Sequence, residues 1–335
     1  KKEEIQRWSC KDCGSSFSFK RKGNTKFQNS LAFKAADLYF SSEASYRAVG
    51  RELNLRPNKA LELVNNLGDN CKSFADVAHK LKPTWSGYLL IDGKAVYVKK
   101  ERYALLLTAD AETHDIPCAY FARSEDYESY NTLLKTVKEE LRYPIKGVVI
   151  DGDPGLAKAV REVFSDIPCQ LCVVHLDRYH KYYFKYQYNG SGEGVAEFLE
   201  ISHRLLFATN TGHLNHVYRD YLQFLEQFED TIDFKNVLKS FESKFGNLWV
   251  HYEQPGFPRT TNIIEGIIRQ LSRKIDDTDG FNSTETAWNS LKLLIMCYRF
   301  KKFSCSRIKG HNGHSPLSLA GVNTKGLKWV KFSQK

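Results

Sequence analysis

The chain has 335 residues, 42% of them hydrophobic, enough to bury a full core and to form two or three domains. Its formal net charge is +10, no apolar stretch approaches the roughly 20 residues of a membrane-spanning helix, and no signal peptide is visible. Eight scattered cysteines in so long a chain read as thiols of a reducing compartment and exclude a small disulfide scaffold.

The charge is uneven. After Glu285 there is no Asp or Glu, yet Lys292, Arg299, Lys301, Lys302, Arg307, Lys309 and four further lysines follow. Lys20-Arg21-Lys22 adds a basic N-terminal arm. Such asymmetry favours a polyanionic partner, most simply nucleic acid. The only methionine is Met296, so the sequence is expected to begin downstream of its initiator.

Residues 1–26 contain Cys10-Lys-Asp-Cys13 followed by Gly14 and aromatics, the form of one zinc-ribbon knuckle. A structural zinc needs four ligands, so Cys10 and Cys13 would hold Zn²⁺ only with a second pair. Residues 27–72 read as helical. Tyr46, Val49 and Leu53, then Ala60, Leu61 and Val64, give two apolar stripes around a break at 54–58. That is the layout of a helix-turn-helix, with Arg56 and Lys59 on the helix that would face DNA; the plain alternative is a helical hairpin. Residues 72–84 read as a linker.

The α/β part begins at residue 85. Tyr88–Val98 predicts a strand with Asp92 inside an apolar run, where a carboxylate must be paired, hydrogen-bonded or bound to metal. Tyr103–Ala109 and Ile116–Ala122 predict two more strands, and Tyr127–Leu141 an amphipathic helix. Gly147–Ile150 is a continuous apolar run that ends on Asp151, as a buried parallel strand does. Gly152-Asp153-Pro154-Gly155 is turn chemistry before a helix. A strand over Cys169–Val174 follows, ended by His175. The order is β-β-β-α-β-α-β, with Asp151 at the sheet edge where ligands of open α/β folds gather.

Residues 176–258 break the alternation and read as an all-helical insertion. Their stretch HLDRYHKYYFKYQY mixes aromatic and basic residues. It could stack bases, although most of its tyrosines are expected in the core. In 259–300, Asn262-x-x-Glu265 has the form of a capping box. Arg259, Arg269, Arg273 and Lys274 around it also suit phosphate binding. Residues 301–335, with Lys301 and Lys302, form a basic tail.

Asp92, Asp151 and Glu265 together suggest a divalent-cation site, because three carboxylates can hold two Mg²⁺ or Mn²⁺ ions for phosphoryl displacement. LLIDGKAVYVK around Asp92, VVIDGDPGL around Asp151, QLCVVHLDR with Cys172 and His175, and RTTNIIEGIIRQL around Glu265 resemble the DDE transposases of the Mutator-like group and their prokaryotic insertion-sequence relatives. The resemblance covers roughly 87–321. It implies an RNase H-like catalytic domain over 85–175 and 259–300, the helical insertion, and an N-terminal zinc and helix-turn-helix region. It implies catalytic Asp92, Asp151 and Glu265 with Cys172 and His175 in support. It also implies DNA cleavage at transposon ends with strand transfer. Paired double-stranded ends imply a homodimer or higher assembly, cytoplasmic and nucleoid-associated in a prokaryote or nuclear in a eukaryote. The competing readings are a domesticated transposase that only binds DNA, and an RNase H-like nuclease without strand transfer. Asp153 is expected to serve the turn. Cys169 and Cys172, on opposite faces of one strand, would not share a zinc.

Overall fold

The computed structural model describes residues 8–9, 16–17, 25–187, 192–228, 232–254 and 256–335. They fall into two units, 1–70 and 71–335. Cys10 and Cys13 lie outside the described residues, between two short antiparallel strands, β1 (Trp8–Ser9) and β2 (Ser16–Phe17).

The first unit holds three helices, α1 (Thr25–Ser41), α2 (Tyr46–Glu52) and α3 (Pro57–Asp69). Ser45 caps α2 by accepting from the Ala48 amide at 3.2 Å, and Pro57 opens α3, where a missing N–H costs nothing. The turn between them is tight. A Cβ on Gly50 would stand 2.6 Å from the Leu55 carbonyl oxygen, so only glycine lets the chain pass. Ala35, Ala36, Val49, Ala60 and Val64 form the buried seam, closed by the stacked rings of Tyr39 and Tyr46 at 3.9 Å.

The second unit opens with α4 (Phe74–Leu81), where the sequence reads as a linker. Phe74, Val77, Ala78 and Leu81 fall at helical spacing, and Ser73 with Asp76 forms a full capping box. Next come β3 (Tyr88–Val98), β4 (Glu101–Asp110), β5 (Ala119–Ala122), α5 (Tyr127–Lys135, continued by a π-helical turn over Thr136–Glu140), β6 (Gly147–Ile150), α6 (Pro154–Val163) and β7 (Cys169–Leu171). The five strands form one mixed sheet in the order β5-β4-β3-β6-β7. Pairs β3–β4 and β4–β5 are antiparallel, while β3–β6 and β6–β7 are parallel. β5 is shorter than expected and starts at Ala119; the Cys118 amide before it donates to the Thr108 hydroxyl at 3.1 Å instead of to a strand carbonyl.

Alternation sorts the strands. Leu89, Ile91, Leu106, Val148 and Ile150 pack with α5 and α6 in one buried cluster. Leu90 and Asp92 therefore face the other side. There α12 (Asn262–Asp276) lies against β3 and β4. A Lys94–Asp276 ion pair at 3.2 Å pins the far end of α12 to β3.

Between β7 and α12 every described regular element is helical: α7 (Val173–Gln187), α8 (Val195–Leu206), α9 (Thr211–Phe228), α10 (Ile232–Glu242) and the short α11 (Val250–Glu253). They enclose a second core, rich in rings, around Phe184, Phe198, Phe224, Phe234 and Phe241. α13 (Thr284–Phe300), α14 (Pro316–Leu319) and α15 (Trp329–Phe332) complete the unit. Fully buried Arg299 on α13 makes a two-pronged ion pair with Asp115, both contacts at 2.7 Å. Among the described residues no helix is long and apolar enough to cross a membrane.

Candidate active site

The sheet itself sets two carboxylates side by side. β3 and β6 run parallel with Leu90 opposite Val149. Two residues further along come Asp92, still within β3, and Asp151, the residue directly after β6, where neighbouring strands lie about 4.8 Å apart. Asp92 follows three fully buried residues and is half-buried itself. Its Oδ1 accepts from the Gly93 amide at 2.8 Å. Burial pushes its pKa up to about 6 against the pull of that amide, and the charges of Asp151 and Glu265 push the same way. Asp151 accepts from the Asp153 amide at 2.9 Å as the chain turns through Gly152, whose φ of +97° is left-handed territory. Asp153 serves that turn as expected: it is the N-cap of α6 and accepts from the Leu156 amide at 2.8 Å.

Glu265 comes from the first turn of α12. The capping box that Asn262-x-x-Glu265 suggests does not form, because the N-cap is Thr261 and Asn262 is already helical. The Glu265 carboxylate is turned elsewhere. It accepts from the Arg178 guanidinium at 3.1 Å, stands 3.8 Å from His175 Nε2, and lies 3.5 Å from the Thr261 hydroxyl.

The strand expected over Cys169–Val174 stops at Leu171, and α7 starts at Val173. The reason is periodic: Val173, Leu176, His180 and Phe184 are all buried at helical spacing. His175 thus stands in a helix's first turn, not at a strand end. This brings Cys172, His175 and Thr261 together. The Thr261 amide and hydroxyl each donate to the Cys172 sulfur at 3.3 Å, and the hydroxyl meets His175 Nδ1 at 3.1 Å. Burial would raise the thiol, but hydrogen bonds from His175 and Thr261 hold it below its ordinary value. The bond to Cys172, against burial, raises His175 in turn. Cys169 instead packs beside the α5–α6 core, where burial raises it to about 11.

Arg178 and Thr261 were not legible as site residues. Arg178 lies three residues after His175, on the same helix face, and the spacing carries meaning only once 173–187 is known to be helical. Among the expected basic contacts, Arg259, Arg269, Arg273, Lys301 and Lys302 are exposed. The Arg259 guanidinium rests 5.9 Å from the Phe207 ring. Lys274 departs from the expectation: it is 5% exposed, on the inward face of α12 with Leu271 and Ile275, so it offers no charge to a surface phosphate. In the other unit Arg56 precedes α3, and Lys59 pairs with Glu62 at 2.6 Å.

As the side chains stand, no group of three or more His, Cys, Asp and Glu among the described residues is close enough to hold a metal ion. The donor chemistry nonetheless suits Mg²⁺ or Mn²⁺, since Asp92, Asp151 and Glu265 offer only hard oxygens. Burial is the main reason that Asp92 is raised, and the smaller push from Asp151 and Glu265 is one that a cation would relieve.

A family model described as "Transposase, Mutator family" matches residues 88–302, which spans β3 to just past α13. No curated protein matches the chain. Among solved structures, a chain of the simian T-cell lymphotropic virus intasome in complex with the PP2A regulatory subunit B56 gamma is similar over 52% of this chain and 69% of its own, at 12% identity and a TM-score of 0.24.

Proposed function

The chain belongs to the Mutator family of transposases, and from that premise we propose that Asp92, Asp151 and Glu265 carry metal-dependent cleavage at transposon ends and transfer of the freed 3′-hydroxyl into target DNA. The observation that carries this reading is the convergence of three acidic residues from separate elements: Asp92 on β3, Asp151 directly after the parallel neighbour β6, and Glu265 in the first turn of α12, which packs against β3. The strand order and mixed strand directions support an RNase H-like reading of the sheet. The capped α2, the tight turn at Gly50 and the Pro57 start of α3 support a helix-turn-helix with Arg56 and Lys59 toward DNA.

Asp92, Asp151 and Glu265 would hold Mg²⁺ or Mn²⁺. When bound, the ions would neutralise charge on the attacked phosphate and on the attacking and leaving oxygens. The chain's own residues prepare the rest. The Gly93 and Asp153 amides fix the orientations of Asp92 and Asp151. Arg178 holds Glu265 and, being 57% exposed, can exchange that carboxylate for a DNA phosphate, which frees Glu265 to turn toward the aspartates. Thr261 ties His175 and Cys172 to the start of α12, so the first turn that carries Glu265 is anchored to α7. Exposed Arg259 and Arg269 flank that turn and, with exposed Arg273 in the last turn of α12, would position the backbone. Two ends must be held together for joining, which calls for a dimer or a higher assembly.

The test is incubation of the full chain with duplex DNA carrying the element's end, Mg²⁺ and target DNA, followed by mapping of products to the nucleotide. The reading expects 3′-hydroxyl nicks at the element boundary and joined products. Nicks without joining would reduce the protein to a nuclease, and bound but intact DNA would leave a binding protein.

A further inference from the structure

The ring-rich stretch of α7 is expected mostly in the core, and the structure divides it. Leu176, His180 and Phe184 point into the insertion's interior. Tyr182 and Tyr186 do not: they are 63% and 61% exposed, and Tyr179 is 46% exposed. This is not a shortage of interior, since Phe198, Phe224, Phe234 and Phe241 are all buried in the same insertion. The outward residues follow the helical repeat of three and four from His175 through Arg178, Tyr179, Tyr182 and Lys185 to Tyr186. They form one stripe about 16 Å long at 1.5 Å per residue. Its first members, His175 and Arg178, face Glu265.

From this geometry we propose that the outer face of α7, with Arg178, Tyr182, Lys185 and Tyr186, binds unpaired nucleotides of the DNA strand that leaves the cleavage site. The proposal rests on the transposase reading of that site and adds the state of the DNA beside it.

Charge and shape both choose this occupant. The stripe carries Arg178 and Lys185, with Lys181 beside it paired to Asp177 at 2.7 Å. Asp177, the only acid on α7, is itself buried, so the face presented to solvent is cationic. The Tyr182 and Tyr186 rings lie 4.4 Å apart at 38°, and the Lys185 ammonium sits 5.5 Å over the Tyr186 ring. A ring pair with a cation beside it offers aromatic surface for bases and charge for the linking phosphates. A duplex covers its base faces by stacking and would meet only the cations, whereas a separated strand meets both. Tyrosine and arginine also serve protein interfaces, so a second copy seated on this stripe is the competing occupant that the experiment below separates.

The experiment measures affinity of the full chain in EDTA, where no cleavage occurs. The probes are a single-stranded oligonucleotide, the same strand with its bases removed, and the matching duplex. The variants are Tyr182→Ala/Tyr186→Ala and Tyr182→Phe/Tyr186→Phe. Loss of stacking predicts roughly tenfold weaker single-strand binding per tyrosine removed. The double Ala variant should therefore lose about a hundredfold, the double Phe variant almost nothing, and duplex affinity should stay within about twofold. Wild-type protein should bind the base-free strand as weakly as the Ala variant binds the normal one. Equal losses on duplex and single strand, unchanged single-strand affinity, or a change in oligomeric mass with the Ala variant would each overturn the proposal. Because no metal is present, single-strand binding by a chain that fails to cleave would sink only the transposase chemistry.

Discussion

The sheet and the helical insertion bury their interiors with different side chains, and the difference matters for what each can do. The sheet core is aliphatic: Leu89, Leu90, Ile91, Leu105, Leu106, Leu107, Val148, Val149 and Ile150 are all fully buried. Ladder hydrogen bonds fix where each strand residue points, so Asp92 is placed by its register opposite Leu107 and Asp151 by following directly on β6. The insertion has no such ladder. Its helices are held by interlocking rings, with Phe198 within 6.2 Å of His180, Phe184, Phe224, Phe234 and Phe241. Its contribution near the carboxylates is the start of one helix, α7, which supplies His175 and Arg178 to Glu265. The sheet sets the positions of the aspartates, while a separately packed helix bundle holds Arg178 against Glu265.

If the two cores are separable, damage to one should stay local. Phe198→Ala removes the ring at the centre of the insertion, and such truncations cost about 3–5 kcal/mol. Hydrogen exchange should then rise sharply in α8, α9 and α10, while the β3 and β6 amides keep their protection. Equal loss of protection in the sheet would show a single cooperative core.

A smaller effect sharpens the contrast through pH. His180 is 1% exposed among the insertion's rings, and its Nδ1 has no hydrogen-bond partner. Burial holds its pKa down at about 4, with Asp177 pulling up and Lys244 pushing down. The unfolded chain, with histidine near 6.5, binds the proton first, so stability falls as pH drops from about 6.5 to about 4. The full loss is of order 3 kcal/mol. His180→Phe should remove that share of the acid sensitivity, read as the midpoint of denaturant unfolding at pH 7 and at pH 4.5. An unchanged acid response would place the sensitivity elsewhere, for example at His114 beside the sheet, which burial and His311 also hold down near 4.

Legibility follows the same division. β3, β4 and β6 stand out because buried strands are continuous apolar runs, and Asp92 and Asp151 are conspicuous within or just after them. The order of strands across the sheet is tertiary and leaves no local mark. α4 is hidden because eight residues ending in His79, Lys80 and Leu81 look like a polar connection until Ser73 is seen to cap them. The start of α7 is hidden because Val173 and Val174 favour strand locally, and only the burial of Leu176, His180 and Phe184 decides for helix. With that helix unseen, Arg178 has no visible relation to Glu265. The exposed tyrosines are hidden for the converse reason: an aromatic residue carries no sign of which side of a helix is already full.

The proposed chemistry stands on three carboxylates and not on their acidic neighbour, Asp153. The most direct measurement is the rate of Mg²⁺-dependent end cleavage by Asp92→Asn, Asp151→Asn, Glu265→Gln and Asp153→Asn, each checked for folding and DNA affinity. The substitutions are near-isosteric, so packing is kept while charge is lost. The first three should fall by at least about a thousandfold with folding and binding intact, because phosphoryl transfer depends on positioning and charge neutralisation. Asp153→Asn should stay within about tenfold, since asparagine caps a helix as well as aspartate. Near-normal cleavage by Glu265→Gln, or a dead Asp153→Asn beside an active Asp151→Asn, would contradict that proposal.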